Sequence, residues 1–142
     1  MGRLVFEMRD IMNKILLIVS VLFLLGCASD GEGYMQKHEL MSQIKKGQAP
    51  IIIDVRSSSE YQAGHVPGAI HIPFWTAFTT DKTDNYEKKD LVVMYCEHGP
   101  RAGIAKLALS LSGFENISYL DGHMTAWRKS GLPIEADSKK EE

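Results

Sequence analysis

The sequence predicts one α/β domain over residues 34–135, a small parallel β-sheet with helices flanking it on both faces. Short apolar runs rich in β-branched residues (51–55, 69–72, 91–95, 117–120) alternate with stretches of helical spacing along the chain. That alternation is what a layered parallel sheet with crossover helices requires. The runs Ile51-Ile52-Ile53 and Leu91-Val92-Val93-Met94-Tyr95 are continuous rather than alternating, as expected of strands covered on both faces. A length of 142 residues suits a single domain.

Composition narrows the function classes. The chain is 44% hydrophobic and 24% charged, an ordinary globular balance that excludes disorder and coiled coil. Sixteen basic against eighteen acidic residues give a formal net charge of −2, so no basic field is present to bind nucleic acid. Two cysteines, Cys27 and Cys96, make neither a disulfide scaffold nor a structural zinc site, and the five histidines form no close ligand pair. Neither a metal nor a cofactor is expected, and the domain is expected to act as a monomer.

The elements follow in order. Residues 15–25 (ILLIVSVLFLL) form an apolar run of 11 residues behind Lys14, too short to span a bilayer and suited to a removable export signal. Residues 1–26 are therefore read as a signal peptide, with Met12 as its natural start because Glu7 and Asp10 do not belong in a signal's basic head. Leu24-Leu25-Gly26-Cys27 resembles the lipobox of bacterial lipoproteins. That resemblance implies lipidation of Cys27, residues 27–33 as a flexible tether, and a domain anchored to the cell or outer membrane, in the periplasm or outside the cell.

Residues 35–46 place Leu40, Met41 and Ile44 at helical spacing before Gly47. The strand at 51–55 follows, and then Ser57-Ser58-Ser59-Glu60, a capping box opening a short helix to Ala63. A turn at 64–68 leads to a short strand at 69–72. Residues 73–89 are irregular and carry Phe74, Trp75, Phe78 and Tyr86, which are expected to wall a pocket. The strand at 91–95 and the helix at 102–112, stopped by Gly113, come next. The strand at 117–120, a turn at 121–123 and a helix at 124–130 before Gly131 complete the domain, and 136–142 is a charged tail.

Chemistry concentrates at Cys96, which follows a buried strand and precedes a helix through Glu97-His98-Gly99-Pro100-Arg101. Backbone N–H groups of a tight loop and of a helix N-terminus face anions, and Arg101 adds a fixed positive charge. Such surroundings favour a thiolate, the attacking form of cysteine.

Cys96-x-x-Gly99-x-Arg101, set between strand and helix, resembles the active-site loop of the rhodanese superfamily. Asp54-Val55-Arg56, the segment from Gly64 to Pro73, Leu120-Asp121-Gly122 with Trp127, and Gly131-Leu132-Pro133 resemble its other ordered motifs. The resemblance implies a sulfurtransferase in which Cys96 takes a sulfane sulfur from thiosulfate or a similar donor and passes it, as a persulfide, to cyanide or a thiol. It implies that residues 97–102 (Glu97, His98, Gly99, Pro100, Arg101 and Ala102) cradle the anion, with Arg101 binding the donor's oxygens. Two other readings stay open. Cysteine phosphatases and arsenate reductases share this fold but space Cys and Arg by five residues, where this chain has four, and some rhodanese-like modules are non-catalytic.

Around the loop, Asp54 is read as structural and Arg56 and Trp75 as accessory candidates. His123 stands where many family members have a second glycine. As a loop histidine it is expected to be exposed and more often idle than not, and as an accessory candidate it would orient a donor or share a proton with the thiol. The side chains of Glu97 and His98 are expected to point outward and to select the acceptor.

Overall fold

The computed structural model describes residues 33–136; the segment read as an export signal, Cys27 with its expected lipidation, and the tail from 137 lie outside them. Five strands form one parallel sheet: β1 (Tyr34–Met35), β2 (Ile51–Asp54), β3 (Ile70–His71), β4 (Val92–Tyr95) and β5 (Ile117–Leu120). Their spatial order is β1-β5-β4-β2-β3. The helices are α1 (Lys37–Lys45), α2 (Ser58–Ala63), α3 (Pro100–Leu111) and α4 (His123–Lys129).

Alternation along the central strands divides the core in two. Ile53, Val92 and Met94 meet Ala102, Ala105, Ala108 and Leu109 of α3 on one side. Ile52, Val93 and Tyr95 meet Leu40 and Met41 of α1 and Met124 and Trp127 of α4 on the other. Helices therefore cover both faces, and the continuous apolar strands have no solvated side. Trp127 is fully buried and donates its indole N–H to the Pro133 carbonyl at 2.8 Å, which pins the C-terminal segment.

The structure corrects the start of the first helix. Met35 is not helical: Tyr34 and Met35 pair with Tyr119 and Leu120 as an edge strand, and the helix begins at Lys37. Two residues are too few to show a strand's period, and here partnership with β5 decides their conformation. The capping box is present as expected. The Ser57 hydroxyl accepts from the Glu60 N–H, and the Glu60 carboxylate accepts from the Ser57 N–H.

Candidate active site

Because the sheet is parallel, the residues that leave β2, β4 and β5 gather at one edge. Arg56, Cys96 and His123 meet there. Cys96 is 1% exposed, and the Gly99 N–H donates to its Sγ at 2.9 Å. Gly99 holds φ at 127°, a conformation that a side chain resists, so the glycine lets the loop curl back over the sulfur. Pro100 then opens α3, where its missing N–H costs the helix nothing. The loop's far side is held by α4, whose Met124 N–H donates to the Cys96 carbonyl at 3.1 Å.

Arg101 reaches Cys96 while forming a two-pronged ion pair with Glu60, at 2.7 and 2.9 Å. The hydrogen bond from Arg101 holds the Glu60 carboxyl far below its ordinary range, with Ser57 adding to the effect. The same bond pushes Arg101 further up, and its nearness to Cys96 contributes. Glu60 was not among the site residues read from the sequence. Its capping box was visible there, but its second partner lies 41 residues away.

Arg56 is fully buried and spends its guanidinium on Asp54, the Gly64 carbonyl and Glu97. It is a scaffold residue that ties β2 to the loop, and Asp54, also fully buried, is structural as expected. Glu97 departs from expectation. Its carboxylate turns back to Arg56, Thr125 and Arg128 instead of facing solvent, because two guanidiniums compete for it. Burial alone would raise its pKa, but the hydrogen bonds from Arg128 and Thr125 and both positive charges outweigh that and lower it. His98 is exposed and rests Nδ1 on the Thr125 hydroxyl at 3.1 Å.

Trp75 and Phe78 do not enclose a pocket: they are 56% and 52% exposed, and Trp75 packs edge-on against Phe74. Phe74 and Tyr86 pack against the core instead. A cleft lined by Gly33, Lys89, Leu91, Lys106 and Glu115 opens where the strands begin, at the edge of the sheet remote from Cys96. His123 is the third departure. It is 8% exposed rather than open to solvent, and begins α4 at φ 54°.

This geometry agrees with the known family. Residues 36–130 match the description "Rhodanese-like domain". The chain belongs to the rhodanese-like family. The yeast (Saccharomyces cerevisiae) thiosulfate:glutathione sulfurtransferase is 33% identical over 94 residues, covering 57% of this chain and 66% of that protein. Thiosulfate sulfurtransferase 16 of Arabidopsis thaliana is 29% identical over 94 residues, covering 59% and 78%. Among solved rhodanese-like folds, the crystal structure of the Alr3790 protein from Anabaena superposes with a TM-score of 0.65 at 31% identity, covering 72% of this chain and 82% of that one. The matched region is about half of some curated relatives, such as 51% of slr1261 from Synechocystis. This rhodanese-like domain thus has sulfurtransferases among its relatives.

Proposed function

We propose that the protein is a sulfurtransferase that carries sulfur as a persulfide on Cys96. One observation carries the reading: the Cys96 sulfur sits under the Gly99 N–H at the head of the twelve-residue helix α3, with Arg101 beside it. N–H groups and a cation fixed around a sulfur atom stabilise a thiolate and then an anionic persulfide.

In the first half-reaction the Cys96 thiolate attacks the outer sulfur of thiosulfate. The donor's S–S bond breaks, sulfite leaves with the electron pair, and the sulfur stays on Cys96. In the second, a thiolate or cyanide attacks that outer sulfur, the new S–S bond breaks, and the pair returns to Cys96 as thiolate. Splitting the transfer this way replaces one difficult step by two easier ones. The four residues between Cys96 and Arg101 leave a smaller cradle than a five-residue phosphate loop, which favours sulfur over phosphate. Cys96 is the free cysteine among the described residues, and with Cys27 lipidated or removed with the signal the acceptor is a separate molecule.

The apolar run before Gly26-Cys27 supports export and a lipid anchor at Cys27, with the domain outside the cytoplasmic membrane. Palmitate labelling that disappears in Cys27→Ala tests that part. For the chemistry, the test is thiosulfate:cyanide transfer with intact-mass analysis of wild type and Cys96→Ser. Thiocyanate formation and one added sulfur, both lost in Cys96→Ser, are expected. A folded wild type that does neither overturns the proposal.

A further inference from the structure

The His123 imidazole is buried against the nucleophile's own backbone. Its Nδ1 accepts the Cys96 N–H at 3.4 Å, and its Nε2 lies 3.3 Å from the point where a Cβ on Gly99 would sit. The ring therefore spans the loop from Cys96 to the glycine whose N–H donates to the Cys96 sulfur. His123 keeps this place at φ 54°, in the left-handed region that few non-glycine residues occupy, although histidine enters it more readily than most. We propose that His123 is a positioning residue for Cys96: its unprotonated Nδ1 holds the Cys96 backbone in the register that puts the thiol under the Gly99 N–H. The inference concerns the same cysteine as the proposed sulfur transfer and rests on that reading only for its functional meaning.

Only neutral imidazole has a ring nitrogen able to accept, so protonation removes the bond and sets a positive ring against an N–H donor. The groups around the ring decide when that happens. Burial keeps His123 below the ordinary histidine value, Asp121 at the β5–α4 turn opposes this, and His98 on the loop reinforces it. Tyr119 of β5 packs at 6.1 Å between ring centres, and Lys106 of α3 lies over that tyrosine.

The test is the rate at which iodoacetamide alkylates Cys96, followed by peptide mass spectrometry across pH in the full chain, beside persulfide formation from thiosulfate. Reactivity of wild type tracks two ionisations, the thiol's and that of His123. The ratio of the wild-type rate to that of His123→Gln is expected to be level above about pH 6.5 and to fall roughly three- to tenfold below it as His123 protonates. His123→Gln keeps an acceptor that does not titrate, so its profile follows the thiol alone. His123→Gly removes the acceptor and lowers the neutral-pH rate roughly three- to tenfold, the loss of about one hydrogen bond. Superimposed profiles for wild type and His123→Gln overturn the proposal, even where His123→Gly fails to fold. Altered alkylation without persulfide formation in any variant keeps the positioning role and sinks sulfur transfer.

Discussion

Glu60 of α2 and Arg101 of α3 meet through two hydrogen bonds across the mouth of the Cys96 loop. The arginine that the family resemblance implies for the donor's oxygens is thus already held by a carboxylate. That pairing fixes the guanidinium beside the sulfur. Scaffold and substrate roles are separable. Both side chains are about one-third exposed, so Arg101→Ala is expected to cost only about 1 kcal/mol of stability. The double variant Arg101→Ala/Glu60→Gln, with no stranded carboxylate, should recover most of that in thermal denaturation. Persulfide formation should fall at least tenfold in both, and recovery in the double variant would reduce Arg101 to a scaffold part.

Acid should loosen the same region. Glu60 and Glu97 both titrate below their ordinary range in the folded domain, through Arg101 and Ser57 in one case and Arg128 and Thr125 in the other. For a carboxylate with a depressed folded pKa, the stabilisation is full above the unfolded value and is lost as pH falls through the folded one. The thermal midpoint should therefore be level with respect to these groups above about pH 5 and fall below about pH 4.3. Glu60→Gln should start lower and fall less steeply, and an equal slope would contradict the assignment.

The buried clamp behind the loop makes a harsher prediction. Arg56 and Asp54 are both fully buried and joined at 2.6 Å. Arg56→Met leaves the Asp54 carboxylate without its cation in the core, which is expected to cost about 3–5 kcal/mol. Chemical denaturation should show it as a lower midpoint. Adding Asp54→Asn should return part of the loss, whereas additive losses would mean that the pair is not a unit.

Much of this architecture was legible in the chain because it is written locally. The continuous run at Ile51-Ile52-Ile53, the Ser57–Glu60 capping box and the Cys96 loop between strand and helix each depend on neighbours within a few residues. What stayed hidden depends on distant partners. Glu60 became part of the site only because α2 and α3 pack at one edge, and Glu97 turned inward because Arg56 and Arg128 arrive from two other elements. His123 has the sequence context of a turn, yet the parallel crossover lays it on the Cys96 backbone. Tyr34 and Met35 are a strand only by virtue of β5. Trp75 and Phe78 failed in the other direction: aromatic composition suggested a wall, and the segment turned both rings outward.

Two glycines at the helices that flank the Cys96 loop should respond in opposite ways. Gly103 lies in the exposed part of α3, where an added Cβ meets nothing within 4 Å. Gly103→Ala removes backbone freedom from the unfolded chain and is expected to stabilise by about 0.5–1 kcal/mol. Gly122 precedes α4 at φ 67°, and its Cβ would lie 2.3 Å from that of Ala126. Gly122→Ala therefore meets both an unfavourable backbone and a clash with the helix that carries His123, and should destabilise by at least about 1–2 kcal/mol. Because that helix also holds the Cys96 carbonyl through the Met124 N–H, alkylation of Cys96 should change in Gly122→Ala and not in Gly103→Ala. Equal thermal midpoints for the two variants, or an unchanged thiol in Gly122→Ala, would show that α4 does not hold the loop.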